Sequence, residues 1–203
     1  MTSIITGDLI HSRKMASHVW MEGLQALLAS KGKSPQSWEI YRGDAFQLEI
    51  PDPEASLLTA LEIKAYLKTM KLDARMAIGI GEKTFDPGRI SQSNGPAFIR
   101  SGELFETLKK QKTTLAVRTD DENLDQEINL MLRLGLVFLN QWLPQSAEFF
   151  LLAIRNPLLS QEEIGNKLGI TQAAVSRRRK RAQFEVTMEL EAFYRQKIKT
   201  LIK

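Results

Sequence analysis

Two aspartates and one basic run are the side chains best placed for chemistry. Asp8 closes the short apolar run Ile4-Ile5-Thr6-Gly7-Asp8, and Asp44 follows Gly43 between two alternating segments. Two carboxylates brought close together suit a hard divalent cation such as magnesium or manganese, with phosphate oxygens completing its shell. The backbone after Asp8 could cradle those phosphates, with Arg13 or Lys14 adding positive charge. The candidate ligand site is therefore Asp8, Arg13, Gly43 and Asp44, with Asp8 and Asp44 as metal ligands. Gly-Asp pairs are also ordinary turn chemistry, because an Asp side chain hydrogen-bonds its own backbone.

The second constellation runs from Leu159 to Arg181. Ser160 followed three residues later by Glu163 is a capping box, which starts a helix by satisfying exposed backbone N–H groups. Ile164 and Leu168 share a face, Gly165 is small where another helix must approach, and Gly169 can end the helix. Thr171 is a good N-cap for a following helix that presents Gln172, Ala173, Ser176 and Arg177 near its start. This is the pattern of a helix-turn-helix at about 160–181, whose second helix reads base edges with its first turns. Gln and Arg suit adenine and guanine edges. Five successive charges, Arg177 to Arg181, go all round a helix, and Arg177 with Lys180 or Arg181 shares one face as phosphate contacts. Arg178 occupies a position where many such units place an apolar residue. The plainer alternative is two short core helices with a solvated charged tail.

The elements that must position these groups follow from periodicity. Ile4 to Asp8 is a buried first strand, and Val19 to Ser30 has apolar residues at helical spacing. Trp38–Tyr41 and Phe46–Ile50 alternate around Arg42-Gly43-Asp44 as a β-hairpin. A helix with Pro53 near its start, a strand Arg75–Gly81, a helix from about Pro96 to Lys110 and a strand Thr114–Arg118 complete the series. The order β-α-β-β-α-β, then α and β, is the split βαβ, ferredoxin-like order. The fold class expected is α+β: an antiparallel sheet with helices over residues 1–120, then an all-α domain over 126–203. Residues 120–125 are acidic and form the candidate linker. In that sheet the Asp8 and Asp44 carboxylates should converge at one end. The final helix, with Ala182, Val186, Leu190, Phe193 and Leu201, could extend the preceding helix, pack back on the core, or form a self-association seam giving a homodimer.

Composition narrows the function classes. The chain has 203 residues, 43% hydrophobic, and a net charge of +4. From Thr171 onward it holds nine Lys/Arg against three Asp/Glu, whereas the rest holds nineteen against twenty-one. The whole positive excess is C-terminal, which points to a polyanion partner for that end. With no cysteine, disulfides, thiolate catalysis and Cys-based zinc sites are excluded. The N-terminus has no basic region followed by an apolar run, and no stretch approaches the ~20 apolar residues of a membrane span. The chain reads as cytoplasmic, with no membrane partner. His11 and His18 lie seven apart without supporting ligands, although His11 could line a pocket beside Asp8.

Asp8 after the first strand, Gly43-Asp44 in the hairpin, Arg75–Gly81 and Gly95–Leu104 together resemble the class III nucleotidyl cyclase and diguanylate cyclase fold over the first 118 residues. That resemblance implies two aspartates holding two metals over a triphosphate. It also identifies departures. The transition-state asparagine of class III cyclases aligns with Ile99, their arginine with Glu103, and their base-selecting lysine with Ile40. Without positioned positive charge for the transition state, metal–nucleotide binding without turnover is the expectation. Over nearly its whole length the chain more closely resembles the SatD-like family of bacterial proteins. The residues that carry this are Ile5–Arg13, Trp38–Gln47, Ser93–Gly102 and the helix-turn-helix end. The resemblance implies the domain layout and no established activity.

The function expected is transcription regulation by a DNA-binding protein whose cyclase-like domain senses a nucleotide or another phosphorylated ligand. The DNA contacts would be Thr171, Gln172, Ala173, Ser176, Arg177, Lys180 and Arg181. The alternatives are a divergent metal-dependent nucleotidyl or phosphoryl transferase, and a non-enzymatic interaction scaffold.

Overall fold

The computed structural model describes residues 1–202. Among them, five strands and eight α-helices follow one another: β1 (Thr2–Ile10), α1 (Ser17–Ala29), β2 (Trp38–Tyr41), β3 (Ala45–Ile50), α2 (Ser56–Thr69), β4 (Asp73–Gly81), α3 (Pro96–Gln111), β5 (Leu115–Arg118), α4 (Glu122–Leu139), α5 (Pro144–Arg155), α6 (Gln161–Leu168), α7 (Gln172–Arg181) and α8 (Phe184–Leu201). The strands form one sheet in the order β2-β3-β1-β4-β5.

The expected antiparallel sheet is corrected to a mixed one. β1 pairs antiparallel with both β3 and β4, and β2 antiparallel with β3, but β5 runs parallel to β4. The cause is the connection: α3 carries the chain back along the sheet, so the next strand starts from the same end as β4. The outer edge of β5 is finished by a side chain. The Asn129 amide accepts from the Val117 N–H and donates to the Val117 carbonyl, both at 2.8 Å.

Alternation along the strands separates two faces. Ile5, Leu9, Phe46, Leu48, Met76 and Ile78 enter the main core with α1 and α2. On the other face Ile4 packs with Ala97 and Phe98 of α3, and the Thr6 hydroxyl donates to Ser101 at 3.0 Å. The helix lies almost on the backbone there. A Cβ on Gly79 would stand 2.3 Å from the Ala97 carbonyl oxygen and the Ser101 nitrogen, so only glycine permits that approach.

The acidic stretch at 120–125 is not free chain, because Asp121 caps α4 by accepting from the Asn123 and Leu124 N–H groups. The main core continues across it without interruption. Leu132, Leu136 and Leu139 of α4, Phe150 of α5, and Leu190, Tyr194 and Ile198 of α8 belong to the same cluster as the sheet. The shared partner is α2, which is buried nearly all round. The fully buried Lys64 donates to Asp73 at 2.7 Å and to Asn140 at 2.8 Å. Burial pulls its pKa down to about 8, against the opposing pull of Asp73. Burial pushes the Glu62 carboxyl up, but Lys31 and Arg155 outweigh it and hold the carboxyl low. Ser56 and the buried Tyr194 hydroxyl meet at 2.6 Å.

A satellite core joins α5, α6 and α7 through Phe149, Ala153, Ile164, Val175 and Ala182. The chain does not run straight on from α7. Gln183 takes a left-handed φ of 49°, and α8 turns back against α4 and α2. No helix among the described residues is long and apolar enough to cross a membrane.

Candidate functional site

Asp8 falls on the α3 face of β1, opposite Ala45 of β3 and Arg75 of β4. Asp44 precedes Ala45 at the hairpin tip, where Arg42 and Gly43 both have positive φ. The two aspartates therefore lie at one end of the sheet, beside α3. They line a cleft of about 480 Å³ with Thr6, Tyr41, Arg42 and Gln47. Its α3 wall is Gly102, Phe105, Glu106 and Lys109, one helix face at spacings of three and four.

The electrostatics of this cleft are unusual at Asp8. Burial raises its carboxyl pKa, with Asp44 and Glu106 pushing the same way and Arg75 and Lys109 opposing. Its Oδ1 is buried and has no hydrogen-bond partner, while the Arg75 guanidinium stands 3.9 Å from Oδ2. A buried, unpartnered carboxylate oxygen is costly unless something binds it. Asp44 accepts from the Ser12 hydroxyl at 2.5 Å. This donor set fits magnesium or manganese only with ligand oxygens completing the shell, because no cluster of three or more His, Asp or Glu poised for a metal exists among the described residues.

Arg13 and Gly43 stand on the other side of Asp44. With Ser12, Ser17, Trp20 and Arg42 they line a second hollow of about 340 Å³. Neither arginine forms an ion pair among the described residues. The Trp20 indole N–H is buried without a partner, and α1 starts here with no side-chain cap and no acid in its first turn. The hollow thus gathers donors and positive charge, whereas the cleft beside it gathers carboxylates. His11, exposed and left-handed at φ 67°, lines neither.

At the other end of the molecule, the capping box of Ser160 and Glu163 is formed in full and Gly169 closes α6 at φ 64°. The Thr171 hydroxyl then accepts from the Ala174 N–H. A Cβ on Gly165 would lie 2.7 Å from the Ile170 carbonyl oxygen, so the turn closes only over glycine. At about 100° per residue, Gln172, Ala173, Ser176, Arg177, Lys180 and Arg181 occupy one half of α7. All six are exposed, as is Thr171.

The opposite half carries the buried Val175 and the two arginines that are already occupied. Arg178 reaches Glu148 of α5 at 2.5 Å. Arg179 pairs with Glu185 and stacks over the Phe184 ring. Arg178 thus holds an apolar residue's place by bringing a carboxylate to it.

Sequence patterning passes over Lys109, takes Trp20 as a core anchor, and takes Tyr41-Arg42 beside the hairpin tip as a packing or base-stacking pair. Arg42 is adjacent to Gly43, so the hairpin assignment already placed it. Lys109 and Trp20 lie on helices whose rotation about their axes only tertiary packing sets. No protein-family model matches the chain, and a comparison with curated proteins found none similar to it.

Proposed function

We propose that the chain is a DNA-binding transcriptional regulator. In this reading α6 and α7 are a helix-turn-helix, and the sheet with its three helices is a ferredoxin-like, cyclase-type sensor of a nucleotide or other phosphorylated ligand. The single observation that carries the DNA reading is the division of α7. Arg177, Lys180 and Arg181, which form no ion pair among the described residues, share an exposed half with Gln172 and Ser176, while Arg178 and Arg179 are spent on Glu148 and Glu185. A solvated charged tail has no reason to sort its charges in that way. The order β2-β3-β1-β4 with antiparallel neighbours supports the sensor fold, β5 being an addition at the edge.

The ligand would straddle Asp44. Its phosphates would occupy the hollow of Arg13, Arg42, Gly43 and the start of α1. Asp8 and Asp44 would hold a magnesium or manganese ion, which would supply charge neutralisation for the phosphates. Ile99 and Glu103, which stand at the cyclases' transition-state positions, do not line the cleft. Binding without turnover is the activity this favours. DNA affinity would then respond through the difference in ligand affinity between DNA-bound and free states.

The test is binding to duplex DNA as salt is varied. Three phosphate contacts per chain give a log–log slope of about −2.7, and Arg177→Ala with Arg181→Ala should flatten it by about 2. Indifference to salt, or unchanged binding by that double variant, overturns the DNA reading. The sensor is tested separately with nucleoside triphosphates and cyclic dinucleotides, with and without magnesium. Metal-dependent binding that Asp8→Ala abolishes is expected. Product that disappears with Asp44→Ala would replace the sensor with a transferase.

A further inference from the structure

We infer that the exposed face shared by α4 and α8 is the contact surface for a second copy of this chain, related by a two-fold axis. Leu130, Leu134 and Val137 stand out from α4 at 50, 60 and 66% exposure, with Met131 beside them and Val186 on α8. Between the helices runs a groove of about 310 Å³, lined by Met131, Leu134, Gly135, Phe138, Val186 and Phe193 among others. Scattered apolar residues need no partner, but a contiguous patch with a groove in it marks an interaction site.

The patch is complementary to itself. It carries a ridge, Leu134 and Val137, and beside it a groove opened where Gly135 lets α8 come close. An isologous contact needs one surface that offers both shapes. The unpaired charges fit the same axis. Arg133 on α4 and Glu189 on α8 are exposed and form no ion pair among the described residues. With a two-fold axis between the helices, α4 of one copy would lie over α8 of the other, pairing Arg133, at the margin of α4 towards β5, with Glu189 of the second copy, beside the groove.

A lipid surface fits less well. The rim holds Glu189 and Glu127, and Lys197 is already engaged by Glu127. An anionic headgroup layer would meet those two carboxylates beside Arg133. The size is adequate too. Two 18-residue helices side by side offer a face of about 27 by 20 Å before side-chain relief is counted. That is on the order of the ~800 Å² each partner buries in a standard interface.

The inference stands without the DNA reading, since it concerns mass alone. Light scattering across a concentration series should give twice the chain mass for the wild type and one chain mass for Leu134→Glu, with unchanged far-ultraviolet circular dichroism. Arg133→Glu should weaken association at least tenfold, and adding Glu189→Arg should restore it. A wild type that stays monomeric overturns the inference, including one that binds phosphatidylserine vesicles through this face. A Leu134→Glu variant that stays dimeric, or a charge exchange that fails to restore association, overturns it as well.

Discussion

Asp8 is held in a state that the folded chain alone does not favour. Its Oδ1 has no partner and its pKa is raised above the ordinary 3.8, chiefly by burial. The folded state therefore binds a proton at Asp8 more tightly than the unfolded chain does. The group opposes folding in full above its folded pKa, and that opposition fades as pH falls towards 3.8. Asp8→Asn is accordingly expected to melt higher than the wild type at pH 7, with the difference shrinking in acid, while it loses metal-dependent ligand binding. Thermal melts at several pH values check the sign, and a lower melting point at pH 7 would count against it. This is the kind of strain that functional sites retain at the expense of stability. That Asp8 and Asp44 line one cleft was legible in the sequence, because Asp8 follows the first apolar run and Asp44 lies at the tip of the hairpin whose second strand neighbours β1. The orphan oxygen and Arg75 opposite it were not. Cross-strand neighbours depend on register, which the separate segments leave open by whole residues.

Among the elements, α6 and α7 were the most legible, because their boundaries are set locally. A capping box, a closing glycine and an N-cap threonine act through hydrogen bonds within a few residues of themselves. Gly165 adds a contact no local rule supplies, the carbonyl of Ile170. Gly165→Val should cost about 1–3 kcal/mol by forcing that turn apart, read as a lower urea midpoint and weaker DNA binding together. Loss of stability with DNA binding intact would show that the α6–α7 angle does not matter to the DNA contact. The direction of β5 was less legible. A short apolar strand has the same pattern whether it runs parallel or antiparallel, and only the path of α3 decides. The end of α7 was open for a similar reason. The apolar spacing of Ala182, Val186 and Leu190 is continuous through Gln183, yet Trp142 bonds the Ala182 carbonyl at 2.9 Å and the chain turns there.

For the whole molecule, α2 is the joint. Lys64, Glu62 and Ser56 tie the sheet to Asn140, Arg155 and Tyr194 in the helical half. A helix buried on every side shows little amphipathic contrast, so nothing in its sequence announced that role. Lys64 has its pKa lowered from 10.5 to about 8. The folded state releases that proton first, so the cost of burying the charge is present below pH 8 and is relieved as pH rises towards 10.5. Lys64→Met, which keeps the shape and leaves Lys68 on Asp73, is expected to equal or exceed the wild type in stability at pH 7 and to lose any advantage near pH 10. Urea titrations at the two pH values decide it. The unbroken core between sheet and helices also bears on heat capacity and cooperativity. A calorimetric scan should show one transition, its van't Hoff enthalpy equal to the measured one, where two independent units would give two. In such a molecule a ligand seated beside Asp8 raises the melting temperature of α7 as much as that of β1. The unfolding of the region round Trp142, which lines neither the cleft nor the hollow, then becomes a gauge of the cleft's occupancy.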